Sequence, residues 1–548
     1  MFNNDTDFIF MSQPFWREMG IPQDFVVQKY KEYFGQHKIS ITSRKDAITF
    51  ISPVLNRIQS ELLDWLNSTG TNQVIKSLYL IFDKCFKFYI NQKAARKKLV
   101  ALNIQDEDIN EVFSTNRNFA INVINSANLW IENALLFQNS VDDPLEDKTP
   151  TIDPLLFVKL YIYGISSRAL SLLNLSNKFN QNELFYGINY SIQYDEEPID
   201  IIREHPVIYF NPSLTGNQGI FKLSKKDYLN ADSSVFGTGF YEEHKISFLL
   251  SMKLLSTFQK YLLLDGKHAY VVITKSKFLS LIDEYTQSKI DPHAFFDTFV
   301  LSNSNVSSQL RKNESLLWII GTNKYRHELR PFLCLSNDTV AISYYALEQA
   351  KQLWCSYFAN GGMTYSNTSD KLTTAIERRN EELSNQLVAI IRDQLKELYT
   401  PSFDECDVKY DRIFGVKEYD YGDYDVVFYT KQTNELFLIE AKFFSDSLNN
   451  SGTITDYEKL FKANGYYDHC RKRYDLVLRE PEKIKNFIGA SGPLNVHFLF
   501  LSSKPLEIEF TDKDRVVSFP CLSIFKNYLA GNLISEDGHQ TIRPTHQI

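Results

Sequence analysis

Cysteine is scarce in this chain and is not arranged for metal binding. The 548 residues contain six cysteines, and no two of them form the close Cys-x-x-Cys pair from which zinc sites are commonly built. They are Cys85, Cys334, Cys355, Cys406, Cys470 and Cys521. A zinc site is therefore not indicated. Free thiols are typical of a reducing compartment, so we expect a cytoplasmic protein.

Common nucleotide-binding and catalytic motifs are also missing. Gly216-Asn-Gln-Gly219 and Gly237-Thr-Gly239 lack the Gly-Lys-Ser/Thr ending of a phosphate loop and the full dinucleotide fingerprint, so both indicate turns. No Gly-x-Ser-x-Gly elbow and no His-Glu-x-x-His helix occurs. Because neither glycine-containing segment is a phosphate loop, the sequence shows no ATPase motif and encodes no ATP-driven motor.

The chain lacks a long uncharged apolar run. Its longest apolar stretch, Leu155 to Leu175, contains Lys159 and Arg168, which predicts a buried helix rather than a membrane span. The first residues do not combine a basic segment with an apolar run, so we expect no secretion signal. A membrane is accordingly not among the expected partners.

Positive charge is in deficit, since the formal net charge is −8. This excludes a generally basic, DNA-coating protein, but it leaves room for a local basic stripe. Hydrophobic residues make up 43% of the chain and aromatic residues 14%, which is typical of a folded globular protein. A chain of this length is expected to form several domains.

The residue pattern divides the chain into three regions of a multidomain α+β and α/β protein. Residues 1–150 predict a mostly helical region, and residues 151–365 a mixed region of helices and strands that could recognise a target or regulate the protein. The polar stretch from Ala359 to Asp370 marks the next boundary. Residues 366–548 form the third region, in which both helices and strands are predicted.

Two predicted strands in this last region carry an unusual set of charges. Tyr421–Tyr429 and Glu435–Phe444 are rich in aromatic and branched apolar residues, and the short polar connection between them predicts a hairpin. The hairpin would place Asp425 beside Glu440, and Lys442 would point into the same space. Buried charges need partners or a metal, and two carboxylates make an oxygen-rich pocket suited to Mg²⁺.

The set Asp425 followed by Glu440-Ala441-Lys442 resembles the PD-(D/E)XK nuclease superfamily, whose fold is that of many restriction endonucleases. The order of predicted elements is similar: a helix from Lys371 to about Tyr399, the hairpin, a helix from Tyr457 to about Leu478, and a strand from Asn495 to Leu501. Tyr424 stands where the family usually has proline. The resemblance covers about the C-terminal third of the chain, residues 366–548, and implies that this region is a restriction-endonuclease-like α/β domain with a central mixed sheet.

This resemblance implies a metal-dependent endonuclease with Mg²⁺ as cofactor, for which Mn²⁺ would substitute. Asp425, Glu440 and the carbonyl of Ala441 would hold the metal, and Lys442 would orient or deprotonate the attacking water. The hard oxygen donors of this set are those that Mg²⁺ prefers.

The family usually has a further glutamate on the first helix, and Glu381 is our prediction for it. On a helical wheel Glu381 aligns with Val388, Ile391 and Leu395, which predicts a semi-buried face. Glu377 and Asp423 remain alternatives for sharing the metal role.

Basic residues around the predicted helix after the hairpin are candidates for phosphate contacts. They are Lys459, Lys462, Arg471, Lys472 and Arg473. A plain solvated helix face is the alternative. The resemblance implies nucleic acid as partner, in the first instance double-stranded DNA, and a homodimer or a partner protein would fit. A role in restriction or antiviral defence also fits. The alternative function is a catalytically inactive binding or assembly protein that retains the fold.

Overall fold

The structure is a computed structural model. It describes residues 15–35, 39–41, 43–101, 107–137, 152–181, 190–194, 200–203, 225–264, 270–307, 325–335, 338–361, 369–444, 456, 459–504, 506, 508, 510–512, 514–533, 543 and 546–548. Helices predominate over strands, and both are present. None of the helices within these ranges is both long and apolar enough to cross a membrane. The predicted domain boundaries after residues 150 and 365 lie outside the described residues.

The first part of the chain is an assembly of helices with an aromatic core. It comprises α1 (Phe15–Met19), α2 (Gln23–Phe34), α3 (Arg44–Ser68), α4 (Thr71–Ala101), α5 (Glu107–Leu136) and α6 (Pro154–Gln181). Trp16 of α1 meets Tyr161 of α6 edge to face, with ring centroids 4.8 Å apart, a favourable geometry for aromatic pairs. The apolar stretch that predicted a buried helix is α6, and Tyr161 is fully buried. A small antiparallel sheet joins β1 (Ile39–Ile41), β2 (Tyr190–Tyr194) and β3 (Asp200–Arg203).

The middle region is a second layer of helices around a four-stranded sheet. Its helices are α7 (Lys225–Leu229), α8 (Val235–His244), α9 (Phe248–Leu264), α10 (Lys275–Thr286), α11 (Pro292–Phe299), α12 (Asn303–Ser307) and α13 (Tyr344–Asn360). Its strands are β4 (Tyr270–Thr274), β5 (Val300–Leu301), β6 (Phe332–Cys334) and β7 (Thr339–Ser343), in the order β4-β7-β6-β5. Leu333 and Ala341 pack with the N-terminal helices, whereas Phe332 and Ile342 pack with the middle helices. The sheet is therefore covered on both faces.

Buried polar side chains join the N-terminal helices to the middle region. His327 Nε2 lies 2.9 Å from Tyr79 Oη, and His327 Nδ1 lies 2.6 Å from Asn128 Oδ1. The backbone N–H of His327 donates to Glu132 Oε1 at 2.9 Å, and Arg326 Nη1 lies 3.1 Å from Glu132 Oε2. The side chains of Glu132 and Arg326 are only 1% and 3% exposed. Burial lowers the pKa of His327 to about 3, so its ring is neutral.

The C-terminal region contains a five-stranded mixed sheet. Its strands are β8 (Phe403–Lys409), β9 (Asp423–Thr430), β10 (Glu435–Lys442), β11 (Asn495–Ser502) and β12 (His546–Gln547), in the order β12-β11-β10-β9-β8. β10 runs antiparallel to β9 and parallel to β11. The predicted hairpin and the strand from Asn495 are thus confirmed.

The local sequence explains both the turn and the central place of β10. Asn434 ends the turn with a φ of 52°, a left-handed conformation that asparagine tolerates better than most residues. β10 is buried from Glu435 to Ala441, as expected for a strand with apolar residues on both faces.

Helices cover both faces of this sheet. One face packs against α14 (Asp370–Leu398) and α18 (Leu522–Leu529), and the other against α15 (Tyr410–Phe414), α16 (Tyr466–Arg479) and α17 (Pro481–Ile488). The predicted helix from Lys371 to about Tyr399 is confirmed as α14. It begins at a serine cap, where Ser369 Oγ accepts from the N–H of Leu372.

The helix predicted from Tyr457 to about Leu478 is interrupted. Tyr457 itself lies outside the described residues, residues 459–461 are helical, and α16 begins only at Tyr466. A turn precedes it, in which the N–H of Gly465 donates to the carbonyl of Lys462 at 2.7 Å. A Cβ on Gly465 would also lie 2.7 Å from that carbonyl oxygen. The close approach of backbone at this glycine interrupts the helical pattern.

Helix α14 contributes to two different cores. Leu372 and Ala375 in its first turns pack with the middle helices, whereas Leu383 and Leu387 pack with the C-terminal sheet. The same helix therefore fastens the middle region to the sheet.

This division predicts unequal effects of one substitution at two sites of α14. In the full chain, Leu372→Ala and Leu387→Ala should each lower the free energy of unfolding by about 2–5 kcal/mol, because both side chains are fully buried. In a fragment comprising residues 366–548, only Leu387→Ala should do so, since the partners of Leu372 are then absent. Thermal and urea unfolding of the four proteins measure this. A fragment without a cooperative transition would show that the middle region completes the C-terminal core.

Candidate functional site

The register of the β9–β10 hairpin brings the two predicted carboxylates together. Val426 is the Cα partner of Ile439, so Asp425 and Glu440 come next on the two strands. Glu440 is buried and Asp425 is half-buried. The pair lies where β10 ends, beside the end of the parallel strand β11.

Lys442 binds both carboxylates. Its Nζ lies 2.6 Å from Glu440 Oε1 and 3.2 Å from Asp425 Oδ2. The backbone N–H of Ala441 also donates to Asp425 Oδ2, at 2.6 Å. The three predicted catalytic residues of the hairpin therefore form one connected cluster.

Arg473 on α16 is a fourth member of the cluster. Its Nη2 donates to Glu440 Oε2, and its Nη1 donates to the carbonyl of Tyr421 at 2.5 Å. Gly422 makes room for the guanidinium, because a Cβ there would lie 2.9 Å from Nη1. Glu440 is thus held by Lys442 on one oxygen and by Arg473 on the other.

The electrostatics of the cluster follow from burial and from the adjacent charges. Burial, and then the negative charge of Glu440, raise the pKa of Asp425 to about 6. Burial would lower the pKa of Lys442, but Glu440 and Asp425 outweigh it and raise that pKa above its ordinary value. Lys442 is therefore a stable cation here. Together with Arg473 it balances the charge of the two carboxylates.

The arginines predicted to contact phosphate are engaged in ion pairs. Arg473 is buried against Glu440. Arg471 lies 3.0 Å from Asp475, 2.7 Å from Asp512 and 3.2 Å from Asp514. The other three predicted contacts are more accessible: Lys459 and Lys462 are exposed and Lys472 is half-buried.

The sequence contained a signal for the position of Arg473. Tyr467, Cys470, Tyr474 and Val477 of α16 are buried at helical spacing, and Arg473 falls on the same stripe. A cation on an apolar face indicates a buried partner. The helical pattern does not identify that partner as Glu440.

The prediction of a semi-buried Glu381 is wrong, because Glu381 is exposed. The buried stripe of α14 passes through Leu383 and Leu387 instead. The described part of the chain shows no hydrogen bond or ion pair between Glu381 and the hairpin cluster. Of the two alternatives, Glu377 is exposed and Asp423 is half-buried at the start of β9.

The side-chain oxygen donors at this point are the carboxylates of Asp425 and Glu440. Within the described residues, no group of three or more His, Cys, Asp or Glu side chains is placed to hold a metal ion. The donor chemistry of Asp425, Glu440 and the Ala441 carbonyl nevertheless suits Mg²⁺, which commonly binds through one or two carboxylates and retains several waters.

Comparisons with known proteins give no relative on which to base a function. The chain matches no protein family, no curated protein and no solved structure. The case for its function therefore depends on the geometry of the cluster.

Proposed function

We propose that the C-terminal region is a metal-dependent nuclease of the PD-(D/E)XK kind. The observation that carries the proposal is the convergence of Asp425, Glu440 and Lys442 at the end of a buried strand. Lys442 lies within ion-pair distance of both carboxylates. Burying charges at the end of this strand costs free energy of folding. Two carboxylates with a lysine beside them are suited to metal-dependent hydrolysis of a phosphodiester.

The arrangement of elements supports the same proposal. A long helix, α14, precedes the antiparallel strands β8, β9 and β10, and α16 and α17 lead to β11, which is parallel to β10. This is the order that the resemblance of the sequence implies for a restriction-endonuclease-like domain.

Mg²⁺ or Mn²⁺ would be held by Asp425, Glu440 and the carbonyl of Ala441. The bound ion would supply positive charge at the phosphate and acidify a water. Lys442 is protonated in this arrangement, so it would orient the water and stabilise negative charge on the phosphate rather than accept a proton. Arg473 would hold Glu440 in place.

The proposed substrate is nucleic acid, and the resemblance implies double-stranded DNA. Lys459, Lys462 and Lys472 would contribute phosphate contacts, since they are exposed or half-buried and have no carboxylate bound to them in the described region. From the same resemblance we also propose that the protein forms a homodimer or binds a partner protein. Its role would be in restriction or antiviral defence.

A non-cleaving binding or assembly protein is the second candidate function. It is favoured by the engagement of both Glu440 oxygens, one by Lys442 and one by Arg473. Such a cluster could be a neutral structural feature. Cleavage of labelled DNA and RNA with Mg²⁺, Mn²⁺ or a chelator tests the proposed activity directly.

A metal-dependent thermal shift separates the two candidates without an activity assay. Mg²⁺ or Mn²⁺ should raise the melting temperature, because binding at one hundred times the dissociation constant stabilises the folded state by about 2.7 kcal/mol. Asp425→Asn should remove most of that shift. The control Asp404→Asn changes an aspartate of neighbouring β8 that is paired with Arg392 and Lys396, and should leave it intact. If Mg²⁺ or Mn²⁺ raises the melting temperature of both variants equally, the metal binds at a site other than Asp425.

A further inference from the structure

Two tyrosines lie next to Lys442 and Arg473, the two cations that bind Glu440. Lys442 Nζ lies 5.4 Å from the centre of the Tyr466 ring, and Arg473 donates to the backbone carbonyl of Tyr421. Tyr466 is 38% exposed. The Tyr466 ring therefore lies beside Lys442, and the backbone of Tyr421 lies beside Arg473.

The ring of Tyr421 lies next to the ring of Tyr419. Their centroids are 6.4 Å apart, and Tyr419 is 62% exposed. The segment that carries them is held in place, because Tyr410 Oη donates to the Tyr419 carbonyl at 2.9 Å. The N–H of Gly422 donates to Asp420 Oδ1, also at 2.9 Å. Exposed aromatic rings on a segment that is held beside a proposed active site can contact the bases of a nucleic acid.

We propose that Tyr419 and Tyr466 stack on unpaired bases, so that the substrate of the site is a single strand or a single-stranded end of nucleic acid. The inference rests on the proposed nuclease function. An exposed ring can stack on the face of any unpaired base. In a duplex those faces are already stacked on neighbouring base pairs, and only the base edges are accessible in the grooves.

The charges beside Tyr419 favour a single strand over a duplex. Glu418 and Asp420, on either side of Tyr419, are exposed. Duplex DNA carries one negative charge for about every 1.7 Å of its axis, a higher density than a single strand. Acidic residues at this position therefore repel a duplex more strongly.

The test compares binding of one labelled oligonucleotide, single-stranded and as a duplex, to the full chain. Glu440→Gln serves as the background, so that binding is measured without cleavage. Tyr419→Ala and Tyr466→Ala should each weaken single-strand binding about tenfold, and Tyr→Phe at each position should retain it, because stacking needs the ring and not the hydroxyl. Duplex binding should be weaker throughout and change little. Quenching of 2-aminopurine in the single strand gives an independent measure of stacking.

Tighter binding of the duplex, or equal single-strand affinity in the Tyr→Ala and Tyr→Phe variants, would overturn the inference. In that case metal-dependent cleavage of the duplex by the unmutated chain would leave the nuclease proposal intact. If neither form of nucleic acid is bound or cut with Mg²⁺ or Mn²⁺, both proposals fail together.

Discussion

Replacing Glu440 by glutamine should reduce metal-dependent cleavage by at least about 100- to 1,000-fold, the effect of removing one electrostatic group from a transition state. The change removes a charge that would hold the metal and leaves the size of the side chain unchanged. Asp425→Ala and Lys442→Ala should abolish cleavage for the same reason. Initial rates with a labelled oligonucleotide at saturating Mg²⁺ measure the effect.

The chain offers a matched control at the other end of the same strand. Glu435 is also a buried glutamate of β10, with His497 Nε2 3.3 Å away and Arg543 bound to its Oε1. Glu435→Gln should cost stability but leave the cleavage rate per folded molecule near that of the unmutated chain. If Glu440→Gln cuts as fast as Glu435→Gln, the active site has been assigned to the wrong residues.

Glu132→Ala should lower the free energy of unfolding by about 3–5 kcal/mol, although Glu132 is far from the proposed active site in the sequence. The change leaves Arg326 buried without a counter-charge, and arginine cannot shed its proton. Removing Arg326 instead should cost less. Burial raises the pKa of Glu132 to about 7, so the carboxyl left behind can become neutral. Urea unfolding at pH 7 compares Glu132→Ala with Arg326→Met.

Glu382→Ala controls for the general effect of losing an ion pair. Glu382 is paired with Arg379 at 2.8 Å, but its side chain is 62% exposed, and exposed pairs contribute about 0–1 kcal/mol. A cost for Glu132→Ala no larger than that for Glu382→Ala would mean that Arg326 finds another partner or reaches water.

The sequence predicts those parts of the site that depend on the pattern of residues within a strand, a turn or a helix. Strand periodicity and the short turn placed Asp425 beside Glu440, and the observed register agrees. The helix predicted from Lys371 to about Tyr399 likewise agrees with α14, which spans Asp370–Leu398. Each of these features depends on residues within one or two elements.

The parts that the sequence did not predict depend on tertiary contacts. Glu381 was assigned to the wrong face, because a helical wheel gives relative directions and not the side on which the sheet lies. Arg473 was taken for a phosphate contact, since its partner Glu440 belongs to a different element. The contact between His327 and Tyr79 joins segments so distant in the sequence that no local pattern links them.

The topology of the C-terminal sheet sets an order for its assembly. The β9–β10 hairpin closes a short loop, whereas β11 and α16 must be brought in from further along the chain, and such contacts form more slowly. Asp425 and Glu440 would therefore meet before Arg473 reaches them. During that interval Lys442 is the only cation beside the two carboxylates, so the cluster carries one excess negative charge, and acid should speed the refolding phase in which the hairpin forms.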